Sequence, residues 1–308
     1  MKKRVVYFNI AVAAVIFAAV AIFFLRQRND ETKLDIPENL TLVVAWNPHS
    51  TADEMLRALP FDTRFAVQNI SGANGANGKN AVFSAPHNGE NILATSLIPF
   101  ATAQSSGFGV SSRDEWVGWL CAFSPAIVAV AADSPFGTMR DLTDALRSRN
   151  LTCANSGAGT ASFFAAVLLQ KNFDFENISH AGSSPAINAL KNREADFAVL
   201  LSVEAVIALR SGELRALAAF TEKDFAMENI PSISHAIDEN HLPFGEYFGL
   251  FIPENVSRAR LDGLEFLFQN AAASERFENF IREKGLAPET PDKIQNAALI
   301  NHIYKLIE

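Results

Sequence analysis

Two short glycine-rich turns carry the residue types best suited to binding chemistry. The first is Ser71–Gly78, and the second is Asn155–Thr160, which leads directly into the apolar stretch Ala161–Gln170. Each turn follows a short β-type run and precedes a predicted helix, where backbone N–H groups lack partners and the helix dipole is positive. Such a turn attracts anions. The second turn is the predicted binding turn, because its small residues let a ligand approach the N–H groups, and the first is predicted to be architectural.

Neither turn satisfies a nucleotide-binding motif. A P-loop would need Gly at position 73 and Ser or Thr at position 80, where the chain has Ala73 and Asn80. The dinucleotide motif fits better through Gly157 and Gly159, but Ser162 replaces its third glycine. A plain structural role stays open for both turns, since Gly, Asn and Ser are standard turn residues.

Nucleophilic and metal chemistry find little support in the sequence. The chain has no Gly-x-Ser-x-Gly motif, its six histidines include no i,i+4 pair, and no cysteine lies near a histidine at zinc-finger spacing. We therefore predict no catalytic residue, no metal site and no cofactor. An enzyme remains only as a minor alternative.

The N-terminal residues predict export. Val5–Leu25 is a nearly unbroken apolar run of 21 residues between two basic flanks, Lys2–Arg4 and Arg26–Arg28. It is long enough to span a hydrocarbon core of ~30 Å, so residues 1–28 are interpreted as an uncleaved anchor. Cleavage as a signal peptide stays open because small residues occur at Ala18–Ala21. In either case the rest of the chain is expected in the periplasm, free or tethered to the inner membrane.

Charge and composition narrow the function further. The net charge is −8, and the five bases of the first 28 residues face no acid there, so the rest of the chain carries −13. An acidic body repels phosphate backbones, and we predict no nucleic-acid partner. The two cysteines, Cys121 and Cys153, are expected to be buried free thiols, with a disulfide as the alternative.

Alternating strand and helix patterns from Leu40 onward predict an α/β fold with a largely parallel sheet. The predicted strands are Leu40–Ala45, Phe65–Asn69, Ile92–Ser96, Trp116–Cys121, Ile127–Ala132, Leu151–Ala154, Asn177–His180, Phe197–Leu201, Leu214–Phe220 and Tyr247–Ile252. The predicted helices are Ala52–Leu59, Lys79–Ala85, Met139–Arg149, Thr160–Lys171, Pro185–Lys191, Val203–Ser211 and Ile233–Glu239, followed by two or three in the tail. Thr138 and Ser184 are predicted N-caps, the second with Pro185 as the first helical residue, and Pro99–Gly109 is predicted to be a loop.

A series of motifs in a fixed order resembles the receptors of tripartite tricarboxylate transporters, often called Bug receptors. The motifs lie between Leu40 and Leu286, and their order is more specific than any one of them. They are Pro48–Asp53 with Arg57, Asn69–Gly75, Ala85–Gly89, Ser134–Pro135 with Asp141–Leu142, Ser156–Thr160, Gly182–Ala186, Gly212–Ala218 and Tyr247–Pro253.

The resemblance implies a two-lobed, type II-like periplasmic binding protein, made of two Rossmann-like lobes joined by two hinge crossovers. Residues 29–39 would be a tether to the N-terminal segment. Lobe 1 would comprise residues 40–124 and 235–308, and lobe 2 residues 125–234. The family also implies a small carboxylate ligand, membrane permease subunits as partners, and a monomeric receptor.

The resemblance places the ligand between the lobes. Carboxylates in this family are held by backbone amides of the loop after the first strand and of the Ser-x-Gly-x-Gly loop. The expected ligand-binding residues are Ser50, Thr51, Ala52, Asp53, Thr95, Ser96, Asn155, Ser156, Gly157, Gly159, Thr160, Ser183 and Ser202. Among them, Asp53 is expected to cap its helix or brace the loop, because its charge would repel an anion.

The chain departs from the family pattern in the first loop. The two glycines of the family's Pro-Gly-Gly are His49 and Ser50 here, and the imidazole could block the ligand or donate a hydrogen bond to it. We therefore expect a carboxylate-binding receptor of a tripartite transporter. The alternative is a membrane-anchored receptor-like protein that acts as a sensor or interaction partner without transport.

Overall fold

The computed structural model describes residues 34–307, apart from 104–106, 227 and 238–241. Within that part of the chain, strands and helices alternate as an α/β fold requires. The strands are β1 (Asn39–Val44), β2 (Arg64–Asn69), β3 (Asn91–Ser96), β4 (Trp116–Ala131), β5 (Thr152–Asn155), β6 (Glu176–Ser179), β7 (Phe197–Leu201), β8 (Leu214–Ala219), β9 (Gly245–Pro253) and β10 (Ala287–Pro288). The α-helices are α1 (Thr51–Ala58), α2 (Ala76–Ser84), α3 (Leu97–Thr102), α4 (Met139–Leu146), α5 (Ala161–Gln170), α6 (Ser183–Lys191), α7 (Ser202–Arg210), α8 (Arg258–Ala272), α9 (Glu275–Glu283) and α10 (Lys293–Ile307).

The strands form two groups that share β4. In the first group β1 lies between β2 and β3 with parallel pairing, while β9 pairs antiparallel with both β3 and β4. In the second group β5 pairs in parallel with β6 and β7, while β7 and β8 pair antiparallel with β4. The parallel strands are those connected through helices, as right-handed crossovers require.

The strand β4 is one continuous element of 16 residues, so the prediction of two strands here was wrong. Its first half pairs with β9 and its second half with β7 and β8. The change of partner occurs at Ser124–Ala126. There Ala126 donates its N–H to the Phe244 carbonyl at 3.1 Å and accepts from the Phe220 N–H at 2.8 Å. The chain therefore crosses between the two strand groups at two adjacent points.

The structure corrects three further local predictions. Pro99–Gly109 was predicted to be a loop, but its first part belongs to the short helix α3. The predicted helix Ile233–Glu239 is wrong, because residues 233–237 form turns and bends. Gly182 rather than Ser184 precedes α6, which places Pro185 at its third residue. The Thr138 cap is confirmed, since its hydroxyl accepts from the Asp141 N–H at 3.2 Å.

Apolar side chains on both faces of the strands form the core. On one face of the first strand group, a buried cluster joins β1 to α1, α8 and α9 through Leu42, Met55, Phe268 and Phe277. Cys121 and Cys153 are both buried free thiols, which confirms the favoured prediction. Burial raises the pKa of the Cys121 thiol to about 12, so this thiol is protonated at neutral pH.

The predicted N-terminal membrane segment lies outside the described residues. Among residues 34–307, apart from the gaps given above, no helix has both the length and the apolar character needed to cross a membrane.

Candidate functional site

A cavity of about 480 Å³ opens where the ends of β1, β3, β7 and β9 meet the two helices that follow the predicted binding loops. Its walls come from both strand groups. The lining residues are Trp46, Ser50, Thr51, Ala52, Asn74, Ser96, Pro99, Ala158, Gly159, Thr160, Ala161, Leu201, Val203, Glu204, Glu246 and Phe248. Six predicted site residues are therefore brought together: Ser50, Thr51, Ala52, Ser96, Gly159 and Thr160.

A second cavity, of about 550 Å³, lies beside α4 and β8. It is formed by residues from Gly137 to Arg147 and from Ala216 to Ala236, and it touches neither predicted binding loop. The smaller cavity is the candidate site because helix N-termini from both strand groups border it.

The first loop presents the N-terminus of α1 to the cavity. Ser50 is the N-cap, and its Oγ accepts from the Asp53 N–H at 3.3 Å. Within the described part of the chain, the N–H groups of Thr51 and Ala52 have no hydrogen-bond acceptor. His49 has a φ of +66°, the left-handed conformation that glycine adopts freely, and its side chain is exposed and does not line the cavity.

Asp53 braces this loop from below. Its buried carboxylate accepts from the His49 N–H at 2.9 Å, from Arg57 Nε at 3.0 Å and from Asn69 Nδ2 at 3.0 Å. Burial alone would raise the pKa of Asp53, but these hydrogen bonds and the charge of Arg57 lower it overall. Asp53 is thus an ionised support for the loop, in the position expected for a brace.

The second loop presents the N-terminus of α5 from the opposite side. Two of its N–H groups are used internally, since Gly157 donates to Asn155 Oδ1 at 2.8 Å and Ser156 donates to Ser162 Oγ at 3.0 Å. The N–H groups of Ala158, Gly159 and Ala161 have no acceptor among the described residues. These three residues line the cavity.

The glycines of this loop serve different purposes. At Gly157, φ is +123° and a Cβ atom would lie 2.8 Å from the His180 carbonyl oxygen, so the backbone approach requires glycine. At Gly159, φ is +80° and a Cβ atom would meet nothing within 4 Å. Gly157 therefore allows the loop to pack against the His180 backbone, and Gly159 leaves open space beside the free N–H groups.

Two glutamates that the sequence analysis did not select also line the cavity. Glu246, at the start of β9, is buried, and its Oε1 accepts from the Ile98 N–H at 3.0 Å. Glu204, in the first turn of α7, is half-buried and accepts from the Ser156 hydroxyl at 2.8 Å and the Leu201 N–H at 2.9 Å through Oε2. The sequence did contain a signal for these two acids, because each lies next to a fully buried apolar strand. Glu246 directly precedes Tyr247–Pro253, and Glu204 follows Phe197–Leu201.

The remaining predicted site residues do not line the cavity. Thr95 accepts from Trp46 Nε1 at 3.2 Å, and Asn155 and Ser156 support the second loop from inside. Ser202 donates to the Gly285 carbonyl at 2.7 Å and contacts Ser124 where β4 changes partner. Ser183 is the first residue of α6. The structure thus gives Thr95, Asn155, Ser156 and Ser202 positions behind the cavity wall.

A sequence model described as the tripartite tricarboxylate transporter family receptor matches residues 116–306, more than half of the chain. The chain belongs to this receptor family. A UPF0065 protein of Bordetella pertussis is 21% identical over 174 residues, which are 54% of this chain and 53% of that protein. The chain therefore spans about half the length of this curated relative.

Solved structures show that the receptor-family fold covers nearly all of the described chain. A TctC solute-binding protein from Polaromonas has a TM-score of 0.76 at 19% identity, covering 87% of this chain and 97% of that one. MatC of Rhodopseudomonas palustris with bound malate has a TM-score of 0.65 at 21% identity, with 89% and 100% covered. An R. palustris protein with adipate has a TM-score of 0.68 at 19% identity, with 88% and 96% covered. The chain therefore has the α/β fold of periplasmic binding proteins.

Proposed function

We propose that this receptor captures a small carboxylate in the cavity between the two strand groups. The observation that carries the proposal is the pair of helix N-termini, of α1 and α5, whose unpaired N–H groups border one cavity. Partial positive charge from two helix N-termini neutralises a carboxylate without a basic side chain. Malate and adipate, bound by two proteins of the same fold, are ligands of this chemical class.

The two strand groups are proposed to be the sheets of two lobes. The first lobe comprises residues 40–124 and 235–308, and the second comprises residues 125–234. Exposed to the periplasm, the receptor delivers its ligand to the permease subunits of a tripartite transporter. The apolar run Val5–Leu25 directs export and stays as an anchor or is removed. The proposed receptor is a monomer and catalyses no reaction.

The test removes single N–H groups at positions where proline is compatible with the helix. Thr51 and Ala161 are the first residues of α1 and α5, and the preceding residues Ser50 and Thr160 have ψ of 159° and 162°, as a residue before proline requires. In Thr51→Pro and Ala161→Pro each helix keeps its hydrogen bonds but loses one ligand-facing donor. Affinity for a bound carboxylate should fall about tenfold for each variant, about 1.5 kcal/mol for a charge-assisted hydrogen bond.

The matched control is Arg258→Pro, at the exposed first position of α8, which is remote from the cavity. Residues 29–308 are titrated calorimetrically with mono-, di- and tricarboxylates. The proposal requires that at least one acid binds and that only the two cavity variants weaken it. Equal affinity in all three variants would exclude the helix N-termini as the carboxylate site, and no binding by any acid would exclude carboxylate capture.

A further inference from the structure

We propose that the ligand carries an ammonium group as well as a carboxylate, with Glu204 and Glu246 receiving the ammonium. The inference rests on the proposed function, because it concerns a second group of the same ligand in the same cavity. The free N–H groups of α1 and α5 would hold the carboxylate, and the two glutamates would face the amine of an amino-acid-like molecule.

A backbone donor from a distant element holds Glu246 in place. Its Oε1 accepts from the Ile98 N–H at 3.0 Å, at the N-terminus of α3 and 148 residues away in sequence. Burial opposes the ionised carboxylate and raises its pKa overall, whereas the backbone donor favours the ionised form. Glu246 is therefore a fixed acid in the cavity wall, and its charge depends on what the cavity contains.

The second glutamate keeps part of its carboxylate available. Glu204 uses Oε2 for both of its hydrogen bonds, to Ser156 Oγ and the Leu201 N–H. Its Oε1 has no donor among the described residues, and the side chain is half-buried in the cavity wall. An ammonium group has three donors and no acceptor, which matches a free carboxylate oxygen.

The cavity offers these acids no counter-ion. Its lining contains no Lys, Arg or His within the described residues, so Glu204 and Glu246 are its ionisable groups. Burial raises the pKa of Glu246 to about 8, the nearby negative charge of Glu204 contributes, and burial also raises the pKa of Glu204. A ligand with carboxylates alone would add like charge, whereas an ammonium group would compensate both acids.

Other charged groups near these elements are already engaged. On α1, Asp53 pairs with Arg57, and on α2, Lys79 is buried and donates to the carbonyls of Phe100 and Ser111. Burial, followed by the charges of Glu289 and Glu222, raises the pKa of the Tyr247 hydroxyl well above its usual value, so Tyr247 stays neutral. Glu289, beside β4, has a pKa raised by burial to about 7 and therefore also titrates near neutral pH, but it does not line the cavity.

The test compares ligands that differ only by an amine, such as succinate with aspartate, glutarate with glutamate, and butyrate with 4-aminobutyrate. Calorimetry on residues 29–308 should give at least tenfold tighter binding of one amine-bearing member than of its matched acid. Its affinity should rise from pH 6 to pH 8 with release of a proton, because the cation stabilises the ionised form of Glu246. A carboxylate ligand held by protonated glutamates would show the opposite pH dependence.

Variants separate the two ends of the cavity. Glu204→Gln and Glu246→Gln should abolish the preference for the amine, because the amine-bearing member loses its partner while the matched acid no longer meets a like charge. Glu278→Gln, on the exposed face of α9, should leave both affinities unchanged. Unfolding curves confirm that each variant folds. If acids bind as tightly as their amine-bearing partners, the ammonium proposal is overturned and the receptor function stands. If neither member of any pair binds, the ammonium proposal is overturned as well, and the receptor function is excluded only if the full set of mono-, di- and tricarboxylates also fails to bind.

Discussion

At the scale of single residues, Asp53 holds the first loop in its conformation. The loop turns tightly, with His49 in the left-handed conformation that glycine adopts freely. The Asp53 carboxylate accepts the His49 N–H and also accepts from Arg57 and Asn69. A buried carboxylate with three donors thus stabilises this turn.

Replacing this carboxylate by an amide, in Asp53→Asn, should therefore destabilise the protein by about 1–3 kcal/mol, because buried donors lose their acceptor. The pKa of Asp53 is lowered in the folded protein, so its contribution is full above its ordinary pKa of 3.8 and is lost as the pH falls through the lower folded value. Urea unfolding at pH 7 and pH 3 measures this difference. Glu278→Gln is the control, and a loss of stability that stays constant down to pH 3 would contradict the ionised brace.

Sequence reasoning predicted that Asp53 caps its helix or supports the loop, because its charge would repel an anion. It missed Glu204 and Glu246, because their partners are distant in sequence. Glu246 meets Ile98, and Glu204 meets Ser156, 48 residues away. An acid beside an apolar strand was a local signal for each residue, but it did not point to a cavity, and only the folded chain brings the two acids together.

At the scale of elements, the strand β4 and the start of β9 lie very close together where β4 changes partner. A Cβ atom at Gly245 would lie 2.2 Å from the Ser124 carbonyl oxygen and 2.8 Å from Pro125 Cα. Both neighbours are backbone atoms, which cannot rotate away as a side chain would. Glycine at this position lets the chain cross twice through one narrow region.

Gly245→Ala should accordingly cost about 1–3 kcal/mol of unfolding free energy, as for other overpacked buried sites. Gly137→Ala is the matched control, because its Cβ atom would meet only Asp141 Oδ2 at 3.4 Å, an ordinary contact. Urea unfolding of both variants measures the difference. Equal stability of the two variants would show that the β4–β9 crossing can widen, contrary to the packing argument.

The elements found from sequence are those with local signals. Phe197–Leu201 is an apolar run between polar neighbours, and the helix after Thr160 has its own cap, so both were placed within one residue. The helix α3 was missed because its N-terminal donors are satisfied by Glu246 rather than by a local cap. The continuous β4 was missed because Ser124–Pro125 looks like an interruption, although Pro125 lies where the strand changes partner.

At the scale of the whole molecule, the strand groups that flank the cavity are joined in the described residues at Ser124–Ala126, where Phe220 and Phe244 pair with Ala126. Movement about such a narrow connection would bring the N-termini of α1 and α5 closer to a shared ligand. Each helix alone offers only part of the donors that a carboxylate needs. A ligand bound as proposed would stabilise the arrangement in which both helices contact it, and this would be hinge closure driven by differential binding.

Binding should reduce the radius of gyration below the value of the free receptor, which is roughly 19 Å for a compact chain of this size. Small-angle scattering of residues 29–308, with and without the acid that binds in calorimetry, measures the change. Thr51→Pro at the same acid concentration should stay nearer the free value because it loses a donor on one side only, while Arg258→Pro should close like the parent. Binding with no change in radius would show that the cavity is rigid, and the transporter would then have to recognise the bound ligand by another feature than the receptor's shape.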